Sequence, residues 1–514
     1  MHEDDTRPRE SGIGRRDAIK LGAGAVLTAL NAREALASAQ GGRAQLARTP
    51  AAVSMDLPTR PNGPADSTTR QIVSYVNAMS EQTLTAPLLD ALGTTLVDSI
   101  ACTVAGSNSE PAHIAARLAK LTRGDLKSTV VGHGVTTTPE LAAFANTCMV
   151  RHADYNDIPH YSDLIPGILA VGEAIHASGT AVLIAITAAY DVAAAIPIVG
   201  APDDPRRDGW DYGLGIGAAT AIGVGRLLKL TDDQMANALS LSIVPQVQLR
   251  VTRAGILSMW KGCATASSVR NGIFAALIAR EGMTGPAQPF EGRDGLWEQV
   301  TGKPRREIRL PASPDGRTAL QRMHEGGGGF KRYPSEGYTQ SLLEKIPEIR
   351  AWTKVEEIAS VKVELCRSGF LEIGDAPKWN PLNRETADHS MAFDIASALI
   401  DGEVWLTSFT PQRIIDPGVR LLMQKITVVE NPEFPSRDRS RITVHKRTGE
   451  EMIKDAGHET PMSRAEIDAK FDRVLAGVVP DGVRDRMRTT WSNLRSVRDI
   501  AEPMVALAHV GRTT

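Results

Sequence analysis

Cysteine and aromatic residues are both scarce in this chain of 514 residues. The four cysteines, Cys102, Cys148, Cys263 and Cys366, include no Cys-x-x-Cys pair, so the spacing typical of zinc ribbons and iron–sulfur sites is missing. The first three lie among apolar or small residues, which favours buried thiols over disulfide partners. Aromatic residues make up only 4% of the chain while alanine is abundant, and this favours close-packed helices over a β-sandwich.

A strong excess of either charge is also missing. The formal net charge is −2 at pH 7, with 58 Lys and Arg against 60 Asp and Glu. This balance provides no basic surface for nucleic acid, and no lysine-rich block suggests a membrane surface. We therefore expect no nucleic-acid partner and no stable membrane insertion. The composition, 42% hydrophobic and 23% charged, is that of a globular protein, and the length exceeds one simple core, so two domains are expected.

The N-terminus carries a candidate export signal. Arg15 and Arg16 precede a weakly apolar stretch at residues 21–30, and small residues follow it. This order resembles a twin-arginine signal, and the apolar stretch is too short to span a bilayer permanently. We assign residues 1–40 to the signal peptide and residues 41–69 to a linker, which predicts export to the periplasm or the extracellular space. The alternative is a disordered basic tail with a chance arginine pair, and the protein is then cytoplasmic.

From residue 72 to about residue 282 the apolar pattern is helical. Apolar residues recur at three- and four-residue spacing, as in PLLDALGTTLVDSIACTVAG. The nearly continuous apolar run at 166–200 is interrupted by Glu173, His176 and Gly179. It therefore predicts two buried helices of ordinary length rather than a membrane span.

The pattern changes near residue 320. Residues 326–330, GGGGF, predict a loop, and three later runs alternate or are β-branched, as strands are: 358–365, 425–430 and 440–447. Past residue 462 a Ser-x-x-Glu capping box begins another helix. The predicted fold class is mainly α, a large all-helical domain with a smaller α+β domain. We place the first part of the helical domain at 70–318, the α+β domain at 319–461, and C-terminal helices that return to the helical domain at 462–514.

One polar island stands out in the apolar background: RHADYNDIPHYSDLIPG, residues 151–167. Polar groups are costly to bury unless they are paired, so such a cluster usually has a function. His152, Asp154, Asp157 and His160 are metal-ligand types, but they show no recognised ligand spacing. The plainer alternative is a capped helix start with polar surface residues.

Four further polar islands follow along the chain. They are GWDYG (209–213), LRVTRAGILSMWKGCATASSVRNG (249–272), GFKRYPSEGY (329–338) and KWNPLNRETADHS (378–390). On the pattern alone, Lys261 beside Trp260 fits a surface lysine that extends its ammonium to water. Asp388, which precedes the helix MAFDIASALIDG, fits a simple helix cap.

Taken in order, these islands resemble the MmgE/PrpD family, which includes 2-methylcitrate dehydratase, cis-aconitate decarboxylase and iminodisuccinate epimerase. The resemblance runs from about residue 72 to residue 509 and is most specific in DYNDI, HYSDLIPGILAV, MWKG, FKRYPSE and NRETADHS. It implies a homodimer in which each chain has a helical domain and an α+β lid domain, with the active site between the domains. It also implies small di- or tricarboxylate substrates, no organic cofactor and no metal.

The resemblance further implies a chemistry and a set of residues. The reaction removes a proton from a carbon beside a carboxylate, which calls for an acid–base pair and for cations that hold the substrate. The implied catalytic residues are Asp154, His160, Lys261 and Tyr212. The implied substrate-binding residues are Arg253, Lys331, Arg332, Glu336, Asp163 and Arg384.

Three departures from the family pattern bear on the outcome of the reaction. Asp211 and Tyr212 stand where a histidine is usual, Ile158 replaces a threonine, and the segment from Asp157 to His160 is short. We favour a hydro-lyase similar to 2-methylcitrate dehydratase. A decarboxylase, an epimerase and a catalytically altered relative that binds a carboxylate remain alternatives, as does a purely structural or partner-binding helical protein.

Export tests the assignment of the N-terminus. Replacing Arg15 and Arg16 together with lysine is expected to retain the unprocessed precursor in the cytoplasm, because the paired arginines are the address that the export machinery recognises. Immunoblots of cell fractions measure the distribution. Unchanged secretion of the double-lysine form would contradict the twin-arginine interpretation.

Overall fold

The computed structural model describes residues 62–196, 209–303, 306–311, 315–325 and 329–510. The predicted signal peptide, residues 1–40, lies outside these residues, as do most of the predicted linker and part of the glycine run at 326–330. Export therefore stays a prediction.

Most of the described residues between 62 and 325 are helical, as the apolar spacing predicts. The helices there are Ser67–Ala78, Ala86–Gly106, Glu110–Ala119, Pro139–His152, Ile165–Ala174, Gly179–Ala195, Gly213–Leu227, Asp232–Ile243, Trp260–Arg280, Leu296–Thr301 and Ala319–Glu325. The apolar run at 166–200 forms two helices, with Ser178 capping the second through its hydroxyl, which accepts a hydrogen bond from the N–H of Ala181. The two-helix prediction is confirmed for the described residues.

One described helix, Ala86–Gly106, is long and apolar enough to cross a membrane by length and composition. Its most apolar window is 83% buried inside the fold, as in the core helix of a folded domain. Threonine and serine hydroxyls along this helix donate to carbonyl oxygens one turn earlier, as Thr95 does to Ala91 at 2.9 Å, so these hydroxyls are satisfied within the core.

The helical part is not wholly helical, which corrects the prediction of an all-helical domain. Ser128–Val130 and Val135–Thr137 pair as a two-stranded antiparallel ribbon. Each strand has only three residues, too few for a period of two to be recognised in the sequence. The ribbon is anchored by Glu173, whose carboxylate accepts hydrogen bonds from the backbone N–H and the hydroxyl of Thr129.

The second region combines a four-stranded sheet with short helices. Across the sheet the strands are ordered Ile426–Glu430, Ile358–Leu365, Ser440–Lys446 and Glu451–Ala456; the first two are parallel and the other pairs antiparallel. The first three strands match the predicted runs, and the fourth was missed. The helices of this second region are Gln340–Leu343, Ile346–Trp352, Arg367–Ile373, Arg384–Ala387, Met391–Asp401, Pro411–Ile414 and Pro417–Met423.

Two apolar cores organise the described residues. One is built from residues 72–330 together with residues 467–510, and the other from residues 342–456. The helices Arg464–Leu475, Asp481–Ser492 and Ala501–Ala506 thus pack with the first core although they follow the sheet in sequence. The capping box predicted for the first of them is present, with Ser463 and Glu466 bonded reciprocally.

Side chains of the second region bind the backbone of the first just before the helix Trp260–Arg280. Lys378 Nζ donates to the carbonyl of Gly255 at 2.6 Å, and Asn383 donates to the carbonyl of Leu257 at 2.8 Å. The N–H of Leu257 donates to Thr386 Oγ1 at 3.1 Å. These bonds bring the start of that helix against residues 383–390.

A substitution at Gly179 tests whether the C-terminal segment around Leu494 packs closely against the helix Gly179–Ala195. A Cβ at Gly179 would overlap the main-chain oxygen of Leu494, which cannot rotate away. Gly179→Ala is therefore expected to lower the free energy of unfolding by about 1–3 kcal/mol, the usual cost of overpacking. Denaturant titration measures this, with Gly482→Ala as the matched control, because a Cβ there approaches only the tip of Arg486 at 3.7 Å. Equal stability of the two variants would contradict the close approach.

Candidate active site

The first polar island follows the helix Pro139–His152 and forms a tight, buried loop. Asp154 and His160 have φ values of 49° and 59°, in the left-handed region that residues other than glycine enter at a cost. Asp154 is 1% exposed, and Asn156, Asp157 and Asp163 are fully buried. The alternative of a capped helix with polar surface residues is therefore wrong for these positions.

Asp154 is surrounded by cations. Its Oδ1 accepts a hydrogen bond from Arg151 and lies 3.0 Å from Lys331 Nζ, which also donates to the Asp154 carbonyl at 3.0 Å. Its Oδ2 lies 3.8 Å from His389 Nδ1 and has no hydrogen-bond partner in the described chain. Burial alone would raise the pKa of Asp154, but the charges of Arg151, Lys331 and Lys261 outweigh it and hold this pKa well below its ordinary value. Asp154 is thus an ionised carboxylate with one oxygen uncommitted.

Lys261 lies at the start of the helix Trp260–Arg280 and is completely buried, so the alternative of a surface lysine is wrong. Its ammonium lies 2.7 and 2.8 Å from the two oxygens of Asp388. Asp388 also bonds His389 Nδ1 at 2.9 Å, which links Lys261 to the Asp154 cluster. Burial and the Lys261 charge lower the pKa of His389 to about 4, so this imidazole is neutral near pH 7.

Tyr212 and His160 lie on the other side of Arg151. The Tyr212 hydroxyl accepts from Arg151 Nε at 3.0 Å and donates to Asp163 Oδ2 at 3.2 Å, and its ring stacks on His160 at 5.4 Å between centroids. Burial raises the pKa of Tyr212, and its proton is already committed to Asp163. We therefore expect this phenol to orient Arg151 rather than to exchange a proton with substrate.

His160 and Asp154, both implied as catalytic residues by the family resemblance, are not hydrogen-bonded to each other in the described structure. The Nδ1 of His160 is buried and has no hydrogen-bond partner in the described residues. Burial, together with the charges of Arg151 and Lys331, lowers the pKa of His160 well below its ordinary value. His160 is thus a neutral imidazole, held by stacking, with a free ring nitrogen.

Five of the six predicted substrate-binding residues have protein partners: Lys331 and Asp163, as described above, and Arg253, Arg332 and Glu336. Arg253 binds Asp211 with two nitrogens, at 2.7 and 3.3 Å, and covers the Tyr212 ring. Arg332 lies apart from the cluster and pairs with Glu466 at 2.7 Å. Glu336 accepts from the N–H of Tyr338 at 2.5 Å, and burial raises its pKa, as it does that of Asp163.

Arg384 differs from the other cations of the site. Its Nε donates to the carbonyl of His152 at 3.4 Å, its guanidinium lies 4.8 Å from the Phe409 ring centre, and its buried Nη2 has no hydrogen-bond partner. Within the described chain no carboxylate lies at ion-pair distance from it. The charge of Arg384 reaches the cluster. Burial is the largest cause that lowers the pKa of His152, the charge of Arg384 is the second and the charge of Lys261 is the third.

Ligand atoms of Asp154, Asp388 and His389 lie within 4.8 Å of one another, the separation of groups that can share a metal ion. The two carboxylates, however, already contact the Lys331 and Lys261 ammonium groups at 2.7–3.0 Å. A divalent cation there would meet two like charges, so the arrangement suits ammonium pairing better than coordination.

Sequence reasoning missed Arg151, Asp388, His389 and Asp211 as parts of the cluster. All four lie in islands that the sequence marks as polar, which was the available signal. Their local patterns also fit helix ends and caps, and only the packing of the two regions shows that Asp388 faces Lys261, 127 residues away.

The fold and site place the chain in a class of proteins in which a helical core and an α+β core enclose a charge-paired cluster. Residues 70–309 match the MmgE/PrpD N-terminal domain, and residues 333–494 match the MmgE/PrpD C-terminal domain. The chain belongs to the MmgE/PrpD family, which confirms the resemblance seen in its motifs.

Similar proteins carry two kinds of name. A cis-aconitate decarboxylase-like protein of Aspergillus oryzae is 24% identical over 484 residues, covering 87% of this chain and 98% of the relative. The cis-aconitate decarboxylase of Aspergillus terreus is 24% identical over 459 residues, 81% and 90% of the two chains. The 2-methylcitrate dehydratase of Cupriavidus necator is 27% identical over 418 residues, 74% and 81%.

The buried carboxyl group of Asp157, in the loop that follows Asp154, leads us to expect that the stability of the protein depends on pH. Burial raises its pKa to about 7, with a contribution from Asp163, although hydrogen bonds from Ser162 oppose the shift. Because the folded pKa lies above the unfolded value, the stabilisation is complete below about pH 4 and is lost as the pH rises through 7. At about 1.4 kcal/mol per pH unit, and with the group half ionised at its pKa, the wild-type protein is expected to lose about 2 kcal/mol between pH 5 and pH 7 through this group.

The Asp157→Asn variant is expected to lack the pH-dependent part of the stability that comes from protonation of Asp157. The difference in unfolding free energy between variant and wild type, measured by denaturant titration across pH 5–8, isolates it from other titrating groups. The exposed Asp481→Asn serves as the control and should follow the wild type. A constant difference between Asp157→Asn and wild type across this range would contradict a protonated Asp157.

Proposed function

We propose that this protein is a lyase or isomerase that removes a proton from the carbon beside a carboxylate of a small di- or tricarboxylate. Dehydration of the 2-methylcitrate dehydratase type is the reaction we favour. The names of its relatives support a lyase, and the buried acid–base and cationic groups support the proton abstraction.

The observation that carries the proposal is a set of three buried atoms without hydrogen-bond partners in the described chain. They are Asp154 Oδ2, His160 Nδ1 and Arg384 Nη2: an anionic acceptor, a ring nitrogen and a cationic donor. Unpaired buried polar groups are costly, and in a native fold each calls for an explanation such as an ordered water, a catalytic role or a bound ligand. A ligand is the explanation we propose for these three, because they belong to one charged cluster. A carboxylate ligand supplies the anion for Arg384, and a hydroxyl or an acidic C–H supplies a proton facing His160 or Asp154.

The charges define the roles we propose. Neutral His160 accepts the proton from carbon, because a protonated imidazole cannot act as a base. Arg384 holds one carboxylate of the substrate, and Lys261 and Lys331 stabilise the negative charge that develops on the carboxylate beside the reacting carbon. In a dehydration the electron pair of the broken C–H bond forms the double bond as hydroxide leaves. The hydroxide takes a proton from Lys261 and departs as water.

Two alternatives have specific support. Decarboxylation is favoured by the names of the fungal relatives that cover most of this chain. A carboxylate-binding protein without turnover is favoured by Tyr212, whose hydroxyl proton is donated to Asp163 where the family pattern suggests a histidine.

The homodimer also remains a proposal. Its support in this chain is a run of exposed apolar side chains on the segment 244–260 and the helix that follows. They include Val247, Val251, Ile256, Trp260 and Phe274.

The roles of His160 and Lys261 are tested by turnover. The wild-type protein is incubated in deuterated buffer with 2-methylcitrate, citrate and cis-aconitate, and deuterium uptake and product are followed by NMR. His160→Ala and Lys261→Ala are each expected to lower turnover about 10²–10⁴-fold, the range for lost general acid–base catalysis. Lys261→Arg is not expected to restore it, because a guanidinium does not deprotonate near neutral pH and is planar.

Lys261→Ala leaves Asp388 buried and unpaired, so its folding is checked by circular dichroism. His160→Ala breaks no ion pair and serves as the safer variant, and His176→Ala, on the surface beside Asp499, is the control that should retain activity. Full activity of folded His160→Ala would contradict the assignment. Loss of wild-type activity on chelation, restored by one divalent ion, would assign Asp154, Asp388 and His389 to a metal. Binding of an acid without exchange would favour the ligand-binding alternative.

A further inference from the structure

We infer that Lys470, in the C-terminal helix Arg464–Leu475, is a positioning residue of the active site. It fixes the loop around Asp154 (residues 153–158, the Asp154 loop) against the segment around Lys331 (residues 330–335, the Lys331 segment). Lys470 is 4% exposed and lies far from both elements in sequence. Its role rests on the proposed function, because it acts through Asp154 and Lys331 and touches no reacting atom.

The ammonium of Lys470 has a complete set of partners. It lies 2.6 Å from Asp98 Oδ1, donates to the carbonyl of Tyr155 at 2.7 Å and donates to the carbonyl of Lys331 at 3.1 Å. It also lies 3.7 Å from the centre of the Tyr155 ring. The three N–H groups of the lysine ammonium thus face two main-chain acceptors and one ion-pair partner. Burial opposes the charge, but Asp98 raises the pKa of Lys470, and it is a cation.

These contacts connect Lys470 to the proposed catalytic cluster through both Tyr155 and Lys331. Lys331, whose carbonyl binds Lys470, extends its own ammonium to the Asp154 carbonyl and Oδ1, each at 3.0 Å. Tyr155, whose carbonyl also binds Lys470, donates its hydroxyl to the carbonyl of Arg332 at 3.0 Å. Lys470 is therefore a tie between the residue after Asp154 and Lys331, in addition to the bond from the Ile158 N–H to the Gly329 carbonyl at 2.8 Å.

The need for such a tie follows from the backbone. Asp154 has a left-handed φ of 49°, which a non-glycine residue keeps only when its surroundings impose it. The Asp154 loop and the Lys331 segment are 177 residues apart, and the glycine run precedes Lys331. A displacement of about 1 Å between catalytic groups costs about 10²-fold in rate, so a cation that binds both main chains controls turnover.

The test compares Lys470 with its neighbour Phe471. The double variant Asp98→Asn/Lys470→Met removes the donors without leaving a buried charge unpaired. Phe471→Leu reduces packing in the first core next to Lys470 and alters none of the bonds described above. Turnover is measured on the acid that the wild type uses, and amide exchange is measured by mass spectrometry on peptides covering 153–158 and 330–335.

We expect the double variant to lose about 10–100-fold in kcat with KM changed less than about threefold, because Arg384, on a separate helix, still binds substrate. Exchange in both peptides rises. Phe471→Leu loses stability but keeps wild-type kcat and exchange. Lys470→Arg retains the ion pair with Asp98 but not both carbonyl bonds, so it recovers stability without recovering kcat.

Equal kcat and equal exchange in the double variant and Phe471→Leu would overturn the positioning role. If the wild type acts on no acid, the proposed function fails, and the exchange data alone decide about Lys470. Increased exchange confined to these two peptides then supports the tie, and unchanged exchange overturns it.

Discussion

Neutralisation of buried charge is the constraint on which this site depends. Arg151 is paired with Asp154, Lys261 with Asp388, Arg253 with Asp211 and Lys331 again with Asp154. An isolated charge cannot be buried at tolerable cost, so each cation requires its carboxylate within a few ångströms. Because the partners of Lys261 and Lys331 are more than 100 residues away, the two regions must be packed together for these charges to be buried at all.

The same ion pairs and the burial of the cluster also set the protonation states of its carboxylate and imidazole groups. The cations keep Asp154 ionised, and burial among cations keeps His160 and His389 neutral, so an anion and two neutral imidazoles coexist near pH 7. Arg384 is the cation of this cluster that has no carboxylate within the described chain. Under the proposed function, a substrate carboxylate bound to Arg384 would complete a pairing that the protein provides for the other cations.

Much of the fold was predictable from local pattern, and the misses have local causes. The strand Ile358–Leu365 alternates β-branched and polar residues, and the helix after Ser463 has a capping box, so each is encoded over a few residues. The strand Glu451–Ala456 was missed because only its last residue is buried, so its side chains need not alternate between apolar and polar as they do in the strands that were predicted. Within the candidate site, Asp154, His160 and Lys261 were predicted through the family resemblance. Asp388 was taken for a helix cap, and nothing in its immediate sequence distinguishes a cap from an ion-pair partner.

The sequence by itself determined membership of the MmgE/PrpD family, the order of the polar islands and most of the regular elements. These depend on residue order and on periodicities of two and 3.6, which any reader of the chain can count. The tertiary structure alone decided which islands meet, which carboxylate pairs with which cation, that Lys261 is buried and that Lys470 binds the carbonyls of both Tyr155 and Lys331. The physical reason is that protonation and pairing depend on burial and on distances of about 3 Å between groups far apart in the chain, and neither quantity is a local property of the sequence.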